Sequence, residues 1–297
     1  MVFIPWIIGL VLLAIDRGIK RPAGARSPYK AAAASLFLPG LGQLYNGQPR
    51  RALLLWTGGV ALVLVAKIAG LLLSFWGMTF VVVAGLALSV GALVDALRTA
   101  RLLREYKAQS FNRWYVYVGA IAVVAMASIP VERALAIDAF RVPTESMSPS
   151  LLFGDYFIAR LETPDSYEDK RGDVLVFRYP GDNRTLYIKR VVAFPGEDVE
   201  IRGGLLLVNG QTIAAPWART MEASTLDTVR DFGPFTVPDQ TLFMLGDDLS
   251  ASADSRAWGP LPRENIVGVA EFIYWSWDPS EREPRFSRIG RSVEGGH

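Results

Sequence analysis

Thr185-Leu-Tyr-Ile-Lys-Arg-Val-Val192 is a run of β-branched, aromatic and aliphatic residues with two cations inside it. A short run of this composition between turn-forming residues reads as a strand. Tyr187, Ile188, Val191 and Val192 give Lys189 an apolar setting. An exposed lysine has a pKa near ~10.4 and is protonated at neutral pH; burial disfavours the ammonium and lowers that value by several units. Lys189 is therefore a candidate general base. Its candidate partner is Ser146, in Arg141-Val-Pro-Thr-Glu-Ser-Met-Ser-Pro-Ser-Leu-Leu-Phe-Gly-Asp155. The chain has no Cys, and its single His is the final residue, His297. A serine nucleophile here cannot use imidazole, and a neutral lysine is a known substitute. The same composition excludes disulfides, thiolate metal sites and Cys nucleophiles, and it argues against a catalytic zinc site.

Similar runs flank this one. Asp155-Tyr-Phe-Ile-Ala159, Asp173-Val-Leu-Val-Phe-Arg178, Leu205-Leu-Leu-Val208 and Leu242-Phe-Met-Leu245 are short and β-rich, with Gly, Pro and Asp between them. Leu205-Leu-Leu-Val-Asn-Gly-Gln-Thr-Ile213 reads as a hairpin with an Asn-Gly turn. No long amphipathic pattern follows Ala139, so this part is expected to be mainly β. Near its end lie Phe272, Tyr274, Trp275 and Trp277. They fit either a membrane-facing patch or core, and the Phe272/Tyr274 alternation fits a half-buried strand. The charged tail, 281–297, is expected to be disordered.

The first half has a different texture. Residues 1–130 carry 13 Lys/Arg and 3 Asp/Glu, whereas 131–297 carry 18 and 26. A basic apolar half joined to an acidic mixed half suggests a membrane anchor followed by a water-soluble domain. Val2–Ile15, Ala52–Leu73, Ile68–Val94 and Trp114–Val131 are apolar enough to be spans, with Ser74-Phe-Trp-Gly77 as the turn between the second and third. Val2–Ile15 lacks a basic leading region and a cleavage site, so it reads as an anchor. Arg17, Lys20, Arg21, Arg26, Lys30, Arg50 and Arg51 cluster before the second span; Arg98, Arg101, Arg104, Lys107 and Arg113 cluster before the last. Both clusters are expected on the cytoplasmic side, with everything after Val131 outside. Lys67 is expected to snorkel from the outer end of its helix. Leu38-Pro-Gly-Leu-Gly-Gln-Leu-Tyr-Asn-Gly47 suits a re-entrant or interfacial turn and is similar to the short motif of small two-helix membrane modules. Residues 30–98 form an accessory module to which the sequence gives no role.

From about residue 138 to 277 the chain resembles signal peptidase I, the membrane-bound serine endopeptidase family that removes signal peptides. Four motifs carry the resemblance, in order: Pro143-Thr-Glu-Ser-Met-Ser-Pro-Ser-Leu-Leu-Phe-Gly-Asp155, Arg171-Gly-Asp-Val-Leu-Val-Phe177, Tyr187-Ile-Lys-Arg-Val-Val-Ala-Phe-Pro-Gly196 and Gly246-Asp-Asp-Leu-Ser-Ala-Ser-Ala-Asp-Ser-Arg-Ala-Trp-Gly259. The resemblance implies Ser146 as nucleophile and Lys189 as base. It implies the Ser146 N–H and the Thr144 hydroxyl as oxyanion donors, and Ser252 as the hydroxyl that orients the lysine amine. Asp254 and Arg256 match a charged pair beside the site, expected to be structural. Phe140, Val142, Pro143, Met147, Tyr187 and Ile188 are expected to contact substrate, which would add as a strand between the stretch leading to Pro143 and the strand leading to Lys189. Glu145 stands where many members have Gly and is expected to face solvent. Asp248 and Leu249 stand where the family often has Asn and Arg.

The expected architecture is a multi-span α-helical membrane anchor (1–137) followed by a mainly β extracytoplasmic catalytic domain (138–280) with a hairpin insertion near 200–235. The expected partners are secretory preproteins, cut after small residues, and the lipid bilayer, with no nucleic acid and no metal or organic cofactor. The expected location is the bacterial inner membrane, with the catalytic domain on its outer side. One alternative is a Ser-Lys peptidase dedicated to a single exported substrate. The other is a non-catalytic membrane scaffold with a β binding domain.

Overall fold

The computed structural model describes residues 25–103, 105–107, 109–213, 215–218 and 231–293. They divide into a helical unit, up to Leu72 and from Trp76 to Leu135, and a β unit from Ala136 that also takes in Leu73–Phe75. The expected first span, Val2–Ile15, and the cations at 17, 20, 21 and 104 lie outside the described residues.

The helical unit contains α1 (Pro28–Phe37), α2 (Leu41–Tyr45), α3 (Pro49–Ile68), α4 (Phe75–Leu102) and α5 (Trp114–Leu135). Ser27 caps α1 by accepting from the Lys30 N–H, and Pro28 sits at its first position, where a missing N–H costs nothing. The Gly/Pro-rich segment becomes α1, a turn at Pro39-Gly40 and α2. Neither helix is long enough to span a bilayer. α2 is held to α4 by polar side chains: Gln43 donates to the Ala92 carbonyl at 2.6 Å, and Asn46, at the C-cap of α2, to the Ala96 carbonyl at 2.8 Å. α3, α4 and residues 114–131 of α5 are each long and apolar enough to cross a membrane. The turn between α3 and α4 falls earlier than Ser74–Gly77. Gly70, at φ +69°, takes the left-handed conformation that ends a helix, a short 3₁₀ turn spans Leu71–Leu73, and α4 has begun by Phe75. Lys67 lies exposed in the last turn of α3.

The β unit holds two antiparallel sheets. The larger has the order β1 (Ile137–Arg141), β2 (Asp155–Leu161), β11 (Ile266–Asp278), β3 (Val174–Arg178), β4 (Leu186–Ala193), β9 (Thr241–Leu245) and β10 (Leu261–Pro262), with β12 (Glu283–Pro284) paired to β11. The smaller has the order β7 (Gln211–Thr212), β6 (Leu205–Val208), β5 (Asp198–Arg202) and β8 (Phe232–Thr236). The β6–β7 turn carries Asn209 at φ +53° and Gly210 at φ +73°, the paired positive angles that a two-residue Asn-Gly hairpin needs.

One expectation changes here, and one pair of open alternatives divides. The tail is ordered as far as Val293: β12 pairs with β11, a 3₁₀ turn covers Phe286–Arg288, and Val293 is buried. The charged composition that suggested disorder supplies Arg288, which pairs with the fully buried Asp155 at 2.5 Å. The aromatic cluster is also not uniform core. Phe272 is buried, whereas Trp275 and Trp277 are 38% and 39% exposed. Bulges at Ala270/Phe272 and Ile273/Trp275 shift the register of β11 against β2; between them Phe272 and Ile273 point to opposite faces of the sheet, and both are buried.

Candidate active site

Ser146 sits on the loop between β1 and β2. That loop is fixed from below: Met147 and Leu151 are buried in the core, Ser148 N–H donates to the Glu145 carbonyl, and Leu151 N–H donates to the Met147 carbonyl. Lys189 lies on β4 opposite Leu175 of β3. Its Nζ is 2.7 Å from Ser146 Oγ and 2.9 Å from the Ile188 carbonyl oxygen. Lysine and serine are 5% and 7% exposed, so water competes little for either. Burial pushes the Lys189 amine down to about 8; the carboxylates of Asp254 and Asp247 pull the other way. Each of those carboxylates is already taken by an arginine. Arg190 holds Asp247 at 2.6 and 2.7 Å, and Arg256 holds Asp254 at 2.8 and 2.9 Å. Desolvation therefore outweighs them.

The Thr144 hydroxyl is 3.2 Å from Ser146 Oγ, and Glu145 is exposed, as expected. Ser252 departs from expectation. Its Oγ is buried and makes no hydrogen bond, so it does not orient the amine in this arrangement. The amine instead meets Ser146 and the Ile188 carbonyl, and Ser252 is turned toward Gly246. A Cβ at Gly246 would lie 2.3 Å from Ser252 Oγ and 2.4 Å from the Ser146 carbonyl oxygen. Glycine is what lets the 246–259 loop approach the nucleophile so closely. Asp254, besides its pairing with Arg256, caps α6 (Ser255–Trp258) and accepts from the Gly246 N–H at 3.2 Å. Arg256 also donates to the Leu249 carbonyl at 2.7 Å. The pair fixes this loop.

A cleft of about 330 Å³ opens over the serine and lysine. Of the residues expected to contact substrate, Val142, Pro143, Met147, Tyr187 and Ile188 line it; Phe140 does not. Phe140 stacks on Phe157 at 5.7 Å and packs into the core, because its place on β1 turns it away from the opening. Thr185, Leu186, Ala251 and Ala253 also line the cleft and were not singled out in the sequence. The edge of β4 matters here: β3 pairs with it from Leu186 onward, but β9 joins only from Arg190. Residues 186–189 thus keep one backbone edge unpaired by any described strand. Arg190 was also missed. Neighbouring residues of a strand point to opposite faces, so a buried run containing Lys189-Arg190 must satisfy both cations within the protein, and Asp247 of the last motif is the available anion.

Comparison with known proteins bears on the same region. The family model described as signal peptidase, peptidase S26, matches residues 113–275. A signal peptidase I of Pseudomonas fluorescens is 32% identical over 246 residues, covering 67% of this chain and 82% of that protein. One from Leptolyngbya laminosa is 34% identical over 153 residues, covering 48% of this chain and 71% of its own length. The crystal structure of a signal peptidase I from Enterococcus faecalis V583 aligns at 27% identity, over 35% of this chain and 97% of that one, with a TM-score of 0.31.

Proposed function

The chain belongs to the signal peptidase I family, and from that premise we propose how its own residues remove signal peptides from preproteins. It is a serine endopeptidase with a mainly β catalytic domain. The extended segment before the cut adds as a strand to the free edge of β4 at Leu186–Lys189 and runs past Val142 and Pro143. Ala251 and Ala253 line the cleft, and in this reading its walls near the scissile bond exclude larger side chains. The neutral Lys189 amine takes the proton of Ser146 as Oγ attacks the scissile carbonyl. The oxyanion that forms is met by the Ser146 N–H and the Thr144 hydroxyl, and a lost donor of this kind costs about 3 kcal/mol of transition-state stabilisation. The Lys189 ammonium then protonates the departing amine, leaving the signal peptide as an ester on Ser146. A water deprotonated by Lys189 hydrolyses the ester and restores the serine. Each proton removed is returned, and the reaction as written needs no metal or organic cofactor.

The observation that carries these roles is the 2.7 Å separation between a buried lysine amine and a serine hydroxyl. Incubating the full chain in detergent with a preprotein, and locating the cut by mass spectrometry, tests them. Ser146→Ala and Lys189→Ala should each abolish cleavage; turnover retained by either removes it from its role.

The helical unit acts in this reading as a multi-pass anchor in the bacterial inner membrane. Its support is the apolar surface left open. In the most apolar stretches of α3, α4 and α5, only 11%, 17% and 0% of residues are buried, an exposure costly in water and neutral in lipid. The two basic clusters also meet at one end, where Arg51 of α3 pairs with Asp95 of α4 at 3.0 Å and Asn112, just before α5, donates to the Leu44 carbonyl. That end faces the cytoplasm, and α5 carries the chain across to an outward-facing catalytic domain.

A further inference from the structure

An extended segment added to the β4 edge turns alternate side chains to the same wall of the cleft. Walls that exclude larger side chains before the scissile bond therefore require small residues in pairs, two positions apart. Ala-x-Ala meets that requirement. The chain carries it three times between the start of α5 and the start of β1: Ala120-Ile-Ala122, Ala125-Met-Ala127 and Ala134-Leu-Ala136. The first two lie inside the apolar stretch Trp114–Val131, where lipid excludes both the cleft and the water that hydrolysis needs. The third lies beyond it. Glu132 and Arg133 separate it from the apolar stretch, which puts Ala134 and Ala136 at headgroup depth on the outer face.

The local structure suits a cut after Ala136. Pro130 stands inside α5 and cannot donate to the Met126 carbonyl, so the last turn, Val131–Leu135, unwinds to an extended form without the rest of the helix. Ala136 follows at φ +50°, a left-handed conformation that is unfavourable for an L residue and that extension relieves. Two contacts hold the bond closed. The Leu161 N–H donates to the Ala136 carbonyl at 2.7 Å, and Ile137, the first residue of β1, pairs with Arg160. β1 is an edge strand bonded to β2 alone, so its first residue opens locally while the sheet persists.

A chain cannot present this bond to its own nucleophile. Bringing Ala136 to Ser146 would double back residues 137–145 and pull β1 off β2. It would also withdraw Phe140 and Val142 from the core beneath the nucleophile loop. The cut therefore belongs to another copy in the same bilayer. We propose that the peptidase is its own substrate in trans, at Ala136–Ile137. Ser146 Oγ of a second copy attacks the Ala136 carbonyl carbon, and that copy's Lys189 returns the serine proton to the departing Ile137 amine. Water then hydrolyses the ester on Ser146. Residues 1–136 keep a new carboxylate and stay in the membrane. Residues 137–297 leave with a new N-terminus, complete in Ser146 and Lys189 but detached from the helical unit. Because the cut needs two copies, it limits the density of anchored enzyme.

The inference rests on the Ser-Lys reading of the cleft and on α5 as a span, so the test carries a preprotein as an internal control. The full chain is reconstituted in vesicles at a series of densities, and intact-mass spectrometry follows both chain and preprotein. A fragment beginning at Ile137 should appear, at an initial rate that rises with the square of the chain density. The Ser146→Ala chain should stay whole alone and be cut at the same bond when mixed with the parental chain. Ala134→Leu and Ala136→Leu should each slow the cut at least about tenfold, the discrimination a pocket exerts against added methylenes, while preprotein cleavage keeps its parental rate. A preprotein cut beside chains that all stay whole overturns the inference and leaves the peptidase reading standing; a preprotein left uncut as well removes that reading. The inference also falls if the fragment begins at Val123 or Ser128, if its rate is first order in density, if the Ser146→Ala chain is cut alone or resists the parental chain, or if the leucine variants are cut as fast as the parent. A chain that washes off the vesicles at high salt and high pH removes the span reading instead.

Discussion

A lysine whose amine is neutral only above about pH 8 imposes a direction on the enzyme's pH dependence. Below that value Lys189 holds a proton and cannot accept one from Ser146. The kcat/KM for preprotein cleavage should rise with pH and level off above the folded pKa, with its midpoint near 8. A stopped-assay profile flat from pH 6 to 9 would contradict a lysine base. Stability should move with the same group. The folded pKa is depressed from 10.5 to about 8, so below pH 8 the native state bears the full cost of a buried ammonium. Between 8 and 10.5 the native amine gives up its proton while the unfolded one keeps it, and stability rises with pH. Lys189→Met should therefore be more stable than the parent below pH 8, by on the order of 3 kcal/mol, and should lose that advantage by about pH 10.5. Thermal melts at pH 7 and pH 10 check it. The pairing was legible in the sequence because a chain without Cys and with only a terminal His leaves few bases for Ser146. The direction of Ser252 and of Phe140 was not, since both depend on which side of a loop or strand the core claims.

At the scale of elements, the nucleophile loop is held by groups that arrive from far along the chain. Arg288, in the 3₁₀ turn after β12, donates to both carboxylate oxygens of Asp155 and to the carbonyls of Pro149 and Ser150. Asp155 in turn accepts from the Leu152 N–H and the Ser276 hydroxyl. Removing the guanidinium leaves a carboxylate that is 0% exposed with only Arg285, at 4.0 Å, as counter-charge. Arg288→Ala should cost about 3–5 kcal/mol and should open the 146–155 loop to proteolysis before the rest of the β unit. A melting temperature unchanged from the parent would count against this role for the tail. Gly246 constrains the loop from the other side. A methyl group there meets the Ser146 carbonyl oxygen and Ser252 Oγ inside contact distance. Gly246→Ala should lower kcat about a hundredfold, the scale of a displacement of about 1 Å at a reacting group, while the fold persists by circular dichroism. The strands themselves were readable from short β-branched runs bounded by Gly, Pro and Asp. The ordered tail was not, because its order comes from an ion pair spanning 133 positions and no local pattern encodes that.

Across the whole molecule, the division into a basic apolar half and an acidic β-rich half was written in the charges. The meeting of the two basic loops at one end was implied by their alternation with the apolar stretches. How α2 docks was not legible: Gln43 and Asn46 look like ordinary polar residues until α4 supplies the Ala92 and Ala96 carbonyls. A consequence for rate follows from joining the halves in one chain. If the helical unit is the anchor proposed above, an enzyme held in the bilayer and a signal peptide inserted in the same bilayer search a surface instead of a volume. Their encounter then occurs at an effective concentration far above that of the bulk solution. The full chain and a preprotein reconstituted in the same vesicles should react at least about a hundredfold faster, at equal bulk concentrations, than when each occupies its own vesicles. Dilution should barely slow the first arrangement and should slow the second in proportion. A short water-soluble peptide spanning the cut site should show the same rate in both preparations, because its access to the cleft does not depend on the anchor. Equal preprotein rates in shared and separate vesicles would mean that the helical unit contributes nothing to encounter, and its uncovered apolar helices and charged end would then need another explanation.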